Sequence, residues 1–230
     1  MINRIVGLHF SLRGGTETIT NRIVRELAEE LGKQGVCDIK TETYSIADAV
    51  AVDETSVYFD GAEEGVSFDG NTIAVVAVPA IIGKIPVPAI MLMNQLQGAA
   101  AMTIGVVSYG TRSYGNALYE LCNLSERQGF KLVGAAAFAI KHAGIRSTEM
   151  LRPDAEDMAA LSEFCRQASN KLMRLSGSET EGLRIKPAPI NVEGCLPVHR
   201  ISKYSPVAAF YAERLCERID RTRREPEWIL

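Results

Sequence analysis

Three stretches dominate the middle of this chain: NTIAVVAVPA at 71–80, AMTIGVVSYG at 101–110 and KLVGAAAFAI at 131–140. Each is a near-continuous apolar run, rich in β-branched and small residues, with no polar face. A strand of that kind must be covered on both sides, as the central strands of a parallel sheet are. Residues 2–10 predict a further strand, and VCDIKTETYS at 36–45 alternates weakly enough to predict another.

Between the strand signals lie helical ones. Ile19, Ile23, Leu27 and Leu31 recur every four residues with charges between them, one apolar face of a helix ended by Gly32 and Gly35. Helices are also predicted over roughly 87–97 and 114–128. The last of this set starts at Asp154, an N-cap with Glu156 and Asp157 in the first turn. Its apolar positions Met158, Leu161, Cys165, Ala168, Leu172 and Leu175 alternate three and four apart. Five strands separated mostly by helices predict an α/β doubly wound parallel sheet.

Two segments do not follow the pattern. Residues 45–71 carry seven acids and no Lys or Arg, and read as an irregular, solvated crossover. Residues 177–203 are rich in Gly and Pro and read as a linker. Ser205-Pro206 then begins a terminal amphipathic helix with Val207, Tyr211, Leu215 and Ile219 on one face. The expected organisation is a domain over 1–176 and a C-terminal extension over 177–230.

Composition narrows the function classes. With 47% apolar residues, 23% charged residues and a net charge of -3, the chain predicts a soluble globular protein without the basic field that nucleic acid requires. The longest apolar run, IAVVAVPAIIG, falls far short of the roughly 20 residues that span a bilayer. Residues 1–10 show no secretory signal, so a cytoplasmic location is expected. The five cysteines (Cys37, Cys122, Cys165, Cys195, Cys216) include no CxxC pair, which argues against a disulfide framework or a structural zinc site. None is followed by arginine six positions on, so the cysteine-phosphatase loop is absent.

In an open parallel sheet the informative residues follow the strands, because ligands bind outside the carboxyl ends near the topological switch point. After the first strand comes Ser11-Leu12-Arg13-Gly14-Gly15-Thr16 and a helix N-terminus. Free N–H groups, the dipole and two hydroxyls there suit a phosphate, with Arg13 as a charged partner. The alternative is a glycine turn with Thr16 as N-cap. No Gly-Lys-Ser/Thr or GxGxxG is present. After the third strand comes PAIIGKIPVPA, and after the fourth SYGTRSYGNALYEL. Aromatic rings beside a phosphate loop suit a flat ligand with a phosphorylated tail, although Tyr109 and Tyr114 can equally be rim packing.

These motifs carry a resemblance. FSLRGGT resembles the phosphate loop of the flavodoxin-like fold, Ser/Thr-x-Thr-Gly-x-Thr. PAIIGKIPVPA, VVSYGTRSYGNALYEL and GFKLVGAAAFAIKHA resemble the flavodoxin-like domain of bacterial and archaeal proteins that fuse it to a ferredoxin-type iron–sulfur module. RREPEWIL is similar to the way such chains often end. The resemblance covers about residues 1–175. It implies a five-stranded parallel sheet of order 2-1-3-4-5 with helices on both faces, and an FMN site. Ser11, Gly14, Gly15 and Thr16 would hold the phosphate, with Arg13 standing where flavodoxins have threonine. Gly83 and Lys84 belong to the second loop, and Tyr109, Gly110, Thr111, Arg112 and Tyr114 to the third. The flavin ring would lie between these two loops, beside Tyr109 or Tyr114. His142 matches a histidine after the fifth strand, with either a flavin contact or a packing role.

Departures from the family bear on function. Ile81 and Ile82 replace Tyr-Gly, which removes a stacking ring and a permissive glycine. Fused relatives carry two Cys-x2-Cys-x2-Cys-x3-Cys-Pro runs after this domain. Here only Cys195 and Cys216 occupy that region, too few for a cluster. Two functions follow: an FMN-dependent redox protein working with a redox partner protein or a small-molecule electron acceptor, or a degenerate domain that binds a partner or anion without redox chemistry. The tail helix would pack on its own domain, or support a homodimer or partner surface.

Overall fold

The computed structural model describes residues 2–51, 57–59, 66–110, 113–141, 152–177 and 227–229. The five predicted strands form β1 (Arg4–His9), β2 (Lys40–Ser45), β5 (Thr72–Ala80), β6 (Met102–Tyr109) and β7 (Lys131–Ala139). They pair in parallel in the order β2-β1-β5-β6-β7, the expected 2-1-3-4-5. Of β5, residues Thr72 to Val78 are all buried, as an apolar run covered on both faces must be.

Helices α1 (Gly15–Lys33) and α4 (Ala155–Gly177) cover one face, and α2 (Val87–Met93) and α3 (Ala117–Arg127) the other. The predicted stripe of α1 is the buried one: Ile19, Ile23, Leu27 and Leu31 are at most 1% exposed. Asp154 caps α4 as predicted, its Oδ1 accepting from the N–H groups of Glu156 and Asp157. Asp157 Oδ2 in turn accepts from Asp154 N, a reciprocal capping box with aspartate in both roles.

Three segments differ from expectation. Helix α2 stops at Met93, where Gln95 and Leu96 turn their N–H groups back to Leu92 and Met93 and the chain passes Ala99 and Ala100 at positive φ. Helix α3 begins at Ala117 rather than 114, because Ala117 N closes a turn on Tyr114 O and Gly115 sits at φ 53°. The 45–71 crossover is not wholly irregular and solvated. It forms a 3-10 turn (Ile46–Asp48) and a two-stranded hairpin, β3 (Ala49–Ala51) with β4 (Val57–Phe59). It buries Ile46, Phe59, Val66 and Phe68 against the α2/α3 face. Phe59 stacks on Tyr44 at 4.9 Å, and Phe68 meets Phe130 edge-on at 5.3 Å. Apolar residues this sparse have no helical period, yet each fills a place on the sheet.

The chain's last strand, β8 (Glu227–Ile229), pairs antiparallel with Ala135 to Ala137 of β7 and makes a sixth strand at that edge. The predicted terminal helix, with Cys195 and Cys216, lies outside the described residues. Among the described residues no helix is long and apolar enough to cross a membrane.

Candidate functional site

The strand order reverses between β1 and β5, the switch point at whose carboxyl edge open parallel sheets bind ligands. Two of the predicted loops flank it and the third, after β6, adjoins them. The first loop runs from Phe10 to Gly14. Gly14 adopts φ 81°, ψ -14°, a left-handed conformation that turns the chain into α1. Its carbonyl accepts the first helical bond from Thr18 N at 2.9 Å and a second from Thr18 Oγ1 at 2.8 Å. Glu17 N reaches Ser11 Oγ at 3.3 Å. The N–H groups of Gly15 and Thr16 lie in the unpaired first turn of the helix. A Cβ built on Gly14 would meet no heavy atom within 4 Å, so space is open above this turn. Arg13 is exposed and has no ion-pair partner among the described residues.

Two members of this loop have structural duties. Thr16 is buried, and its hydroxyl shares a 2.8 Å hydrogen bond with Ser108 Oγ at the end of β6. Its backbone, not its side chain, faces the loop's first turn. Gly15 is required by close packing: a Cβ there would come within 2.7 Å of Ile140 Cδ1.

The second loop is a tight turn. Ile81 and Lys84 exchange backbone hydrogen bonds at 2.9 and 3.2 Å, and both residues between them have positive φ, Ile82 at 54° and Gly83 at 70°. Glycine suits this geometry; a β-branched residue is strained in it. Ile82 is nonetheless half exposed, as is Ile81. The turn is held from below. Asn116 N donates to Gly83 O at 2.8 Å, and Ile85 N donates to Glu120 Oε2 at 2.9 Å. Lys84 Nζ stands 4.0 Å from Glu120 Oε1, so its charge is directed to α3.

The third loop docks on the second, backbone to backbone. A Cβ on Gly115 would approach Gly83 Cα to 2.6 Å and its carbonyl oxygen to 2.7 Å. Tyr109 is only 6% exposed, its ring centroid 5.5 Å from that of Tyr114 at an interplanar angle of 61°. Tyr109 therefore belongs to the core, while Tyr114 is half buried and nearer the surface. Gly110 is half buried beside it. Thr111, Arg112 and His142 lie outside the described residues.

Sequence reading missed two polar residues here. Ser108 holds Thr16, and His9 ends β1 directly beneath the first loop. Each is a polar residue at the end of an apolar run, just before a loop, and that signal was available. His9 is 7% exposed, and its Nδ1 is buried without a hydrogen-bond partner. Burial lowers its pKa below the ordinary histidine value, against smaller upward pulls from Glu17 and Asp48. Burial also pushes the Cys122 thiol up to about 12 and raises that of Cys165, so neither is a nucleophile at neutral pH. Among the described residues no three His, Cys, Asp or Glu side chains converge as a metal site.

Strand order and helix placement define a flavodoxin-like α/β fold. Solved structures share it. The flavodiiron core from Synechocystis sp. aligns with 75% of this chain and 36% of its own at 15% identity, with a TM-score of 0.50. An oxidoreductase from Corynebacterium diphtheriae aligns with 75% of this chain and 96% of its own at 13% identity and TM-score 0.49. A flavodoxin from the domain Archaea aligns with 74% and 99% at 15% identity and TM-score 0.47. No protein-family model and no curated protein matches the sequence. At 15% identity the likeness to the flavodiiron core speaks to the fold alone.

Proposed function

We propose that the protein binds FMN at the carboxyl edge of β1, β5 and β6 and serves as a flavin-dependent redox protein. The observation that carries this reading is the N-terminus of α1. Two backbone N–H groups lie there without helical partners, under open space, with Ser11 and Arg13 alongside. That arrangement favours a phosphate through the helix dipole, direct donors and one mobile charge. The residues present fit the rest of the group too. The docked turn at Gly83–Gly115 gives a rigid floor, and Ile81, Ile82 and the half-buried Tyr114 offer apolar contact for a flat ring. Bound FMN would supply one- or two-electron chemistry, and the chain would supply grip, orientation and environment. Its electron partner, protein or small molecule, would meet the edge where Leu12, Ile81 and Ile82 are exposed. On this reading residues 1–176 form the functional domain, and the 177–230 extension is a packing or homodimer element.

A second reading is favoured by one specific observation. Neither Ile81 nor Ile82 can stack as an aromatic ring would, and Tyr109 is buried, which suits a domain that binds an anion or a partner without redox chemistry. Titration of the apo protein with FMN and with riboflavin, followed by flavin fluorescence, separates the two. Saturable quenching by FMN and much weaker quenching by riboflavin is the expected result. Ser11→Ala with Arg13→Gln, both outside the core, should weaken FMN binding about tenfold or more, while the unfolding midpoint falls only by the loss of the Glu17 N–Ser11 Oγ bond, about 1 kcal/mol or less. Equal affinity for FMN and riboflavin, or no loss in the double variant, would refute the phosphate site.

A further inference from the structure

We infer that His9 takes up a proton when a phosphate-bearing ligand settles on the N-terminus of α1, so that this site binds more tightly as the pH falls. The inference rests on the anion site proposed above and adds its regulation. His9 is the last residue of β1. Leu8 and Phe10, its neighbours, belong to the core beneath α2 and α3, so strand alternation turns His9 to the opposite face, toward α1. It is more than nine-tenths buried there, with Nδ1 unpartnered.

The charged groups around it are few. From α1, Glu17 in the first turn acts on the imidazole, and from the 3-10 turn after β2, Asp48 does. On β5, the register partner of His9 is Ala77, which brings no charge. Arg13 stands exposed on the loop above. Without ligand, burial outweighs the two carboxylates and the ring is neutral at neutral pH. A phosphate dianion on the Gly15 and Thr16 N–H groups adds negative charge to the same helix turn that faces His9. This third source of negative potential favours the imidazolium. Linkage makes the effect reciprocal: a ligand that raises proton affinity is itself bound more tightly by the protonated form.

The test follows the imidazole signals of the full chain by NMR over roughly pH 5 to 8. The His9 signal is assigned by its loss in His9→Asn. Titrations are run on the apo protein and with saturating FMN, riboflavin, or sulfate, whose charge is constant over this range. The His9 midpoint should rise with FMN and with sulfate and stay in place with riboflavin. FMN affinity should change by up to about tenfold per pH unit between the free and bound midpoints. His9→Asn should retain only the opposing dependence of the ligand's own phosphate, whose protonation weakens binding as the pH falls. An unmoved His9 midpoint with FMN bound overturns the inference and leaves the flavin reading standing. If FMN does not bind, the flavin reading fails and sulfate decides alone: a raised His9 midpoint upholds the proton linkage, and an unmoved one overturns it.

Discussion

Gly14, Gly83 and Gly115 all hold left-handed backbone, at φ 81°, 70° and 53°, yet they sit in different surroundings. A Cβ on Gly14 would meet nothing within 4 Å, one on Gly83 would stand 3.3 Å from Gly115 Cα, and one on Gly115 would come within 2.6 Å of Gly83 Cα. Alanine at each position therefore isolates the crowding between the second and third loops from the cost of the conformation itself. The left-handed conformation costs alanine about 1–2 kcal/mol, offset by about 0.4–1 kcal/mol from a less flexible unfolded chain. Gly14→Ala should thus lose about 0.5–1 kcal/mol. Gly83→Ala should lose slightly more, since its neighbour need yield only a few tenths of an ångström. Gly115→Ala meets the Gly83 backbone, which cannot swing aside as a side chain can, so the loops must part. That also weakens the bond from Asn116 N to Gly83 O, worth about 1 kcal/mol, for a total of roughly 2–4 kcal/mol. For a chain of this size the Tm should fall by roughly 5–12 °C in Gly115→Ala and about 2–3 °C in Gly14→Ala. Urea and thermal unfolding followed by circular dichroism would read the series. Equal losses at Gly14 and Gly115 would refute the close docking of the two loops.

Two further outcomes follow from the polar groups beneath the site. Thr16→Val and Ser108→Ala each leave a buried hydroxyl unpaired and should cost about 1–3 kcal/mol, whereas the double variant should cost at least about 1 kcal/mol less than the two losses added together; strict additivity in urea unfolding would show that the two hydroxyls do not bond. His9 binds its proton less readily folded than unfolded, so the unfolded state takes up protons first as pH falls below the ordinary histidine value. Stability is therefore fully present above that value and declines as pH drops toward the folded midpoint, with a slope of at most about 1.4 kcal/mol per pH unit. Subtracting the His9→Asn profile should reveal this contribution, and identical pH profiles for the two proteins would contradict a buried neutral imidazole.

The sheet was legible in the chain because its strands are near-continuous apolar runs, a pattern that only two-sided burial explains. The α1 and α4 faces were legible for a similar reason, a three-to-four-residue repeat that has one geometric meaning. So was the loop after β1 as a glycine turn into a helix start, since strand, glycines and helix are neighbours in sequence. What lies across the chain was not. Nothing near Thr16 says that its hydroxyl meets Ser108, 92 residues away. Nothing near Gly15 says that it makes room for Ile140, and nothing near Gly115 announces Gly83. The 45–71 crossover shows why: its buried residues are too sparse to make a period, and their places are set by gaps on a sheet built elsewhere. Local sequence determines which elements form, because backbone hydrogen bonding and burial periodicity act over a few residues. Which side chains remain free for a ligand is decided only when distant strand ends come together and some of those side chains find partners in one another.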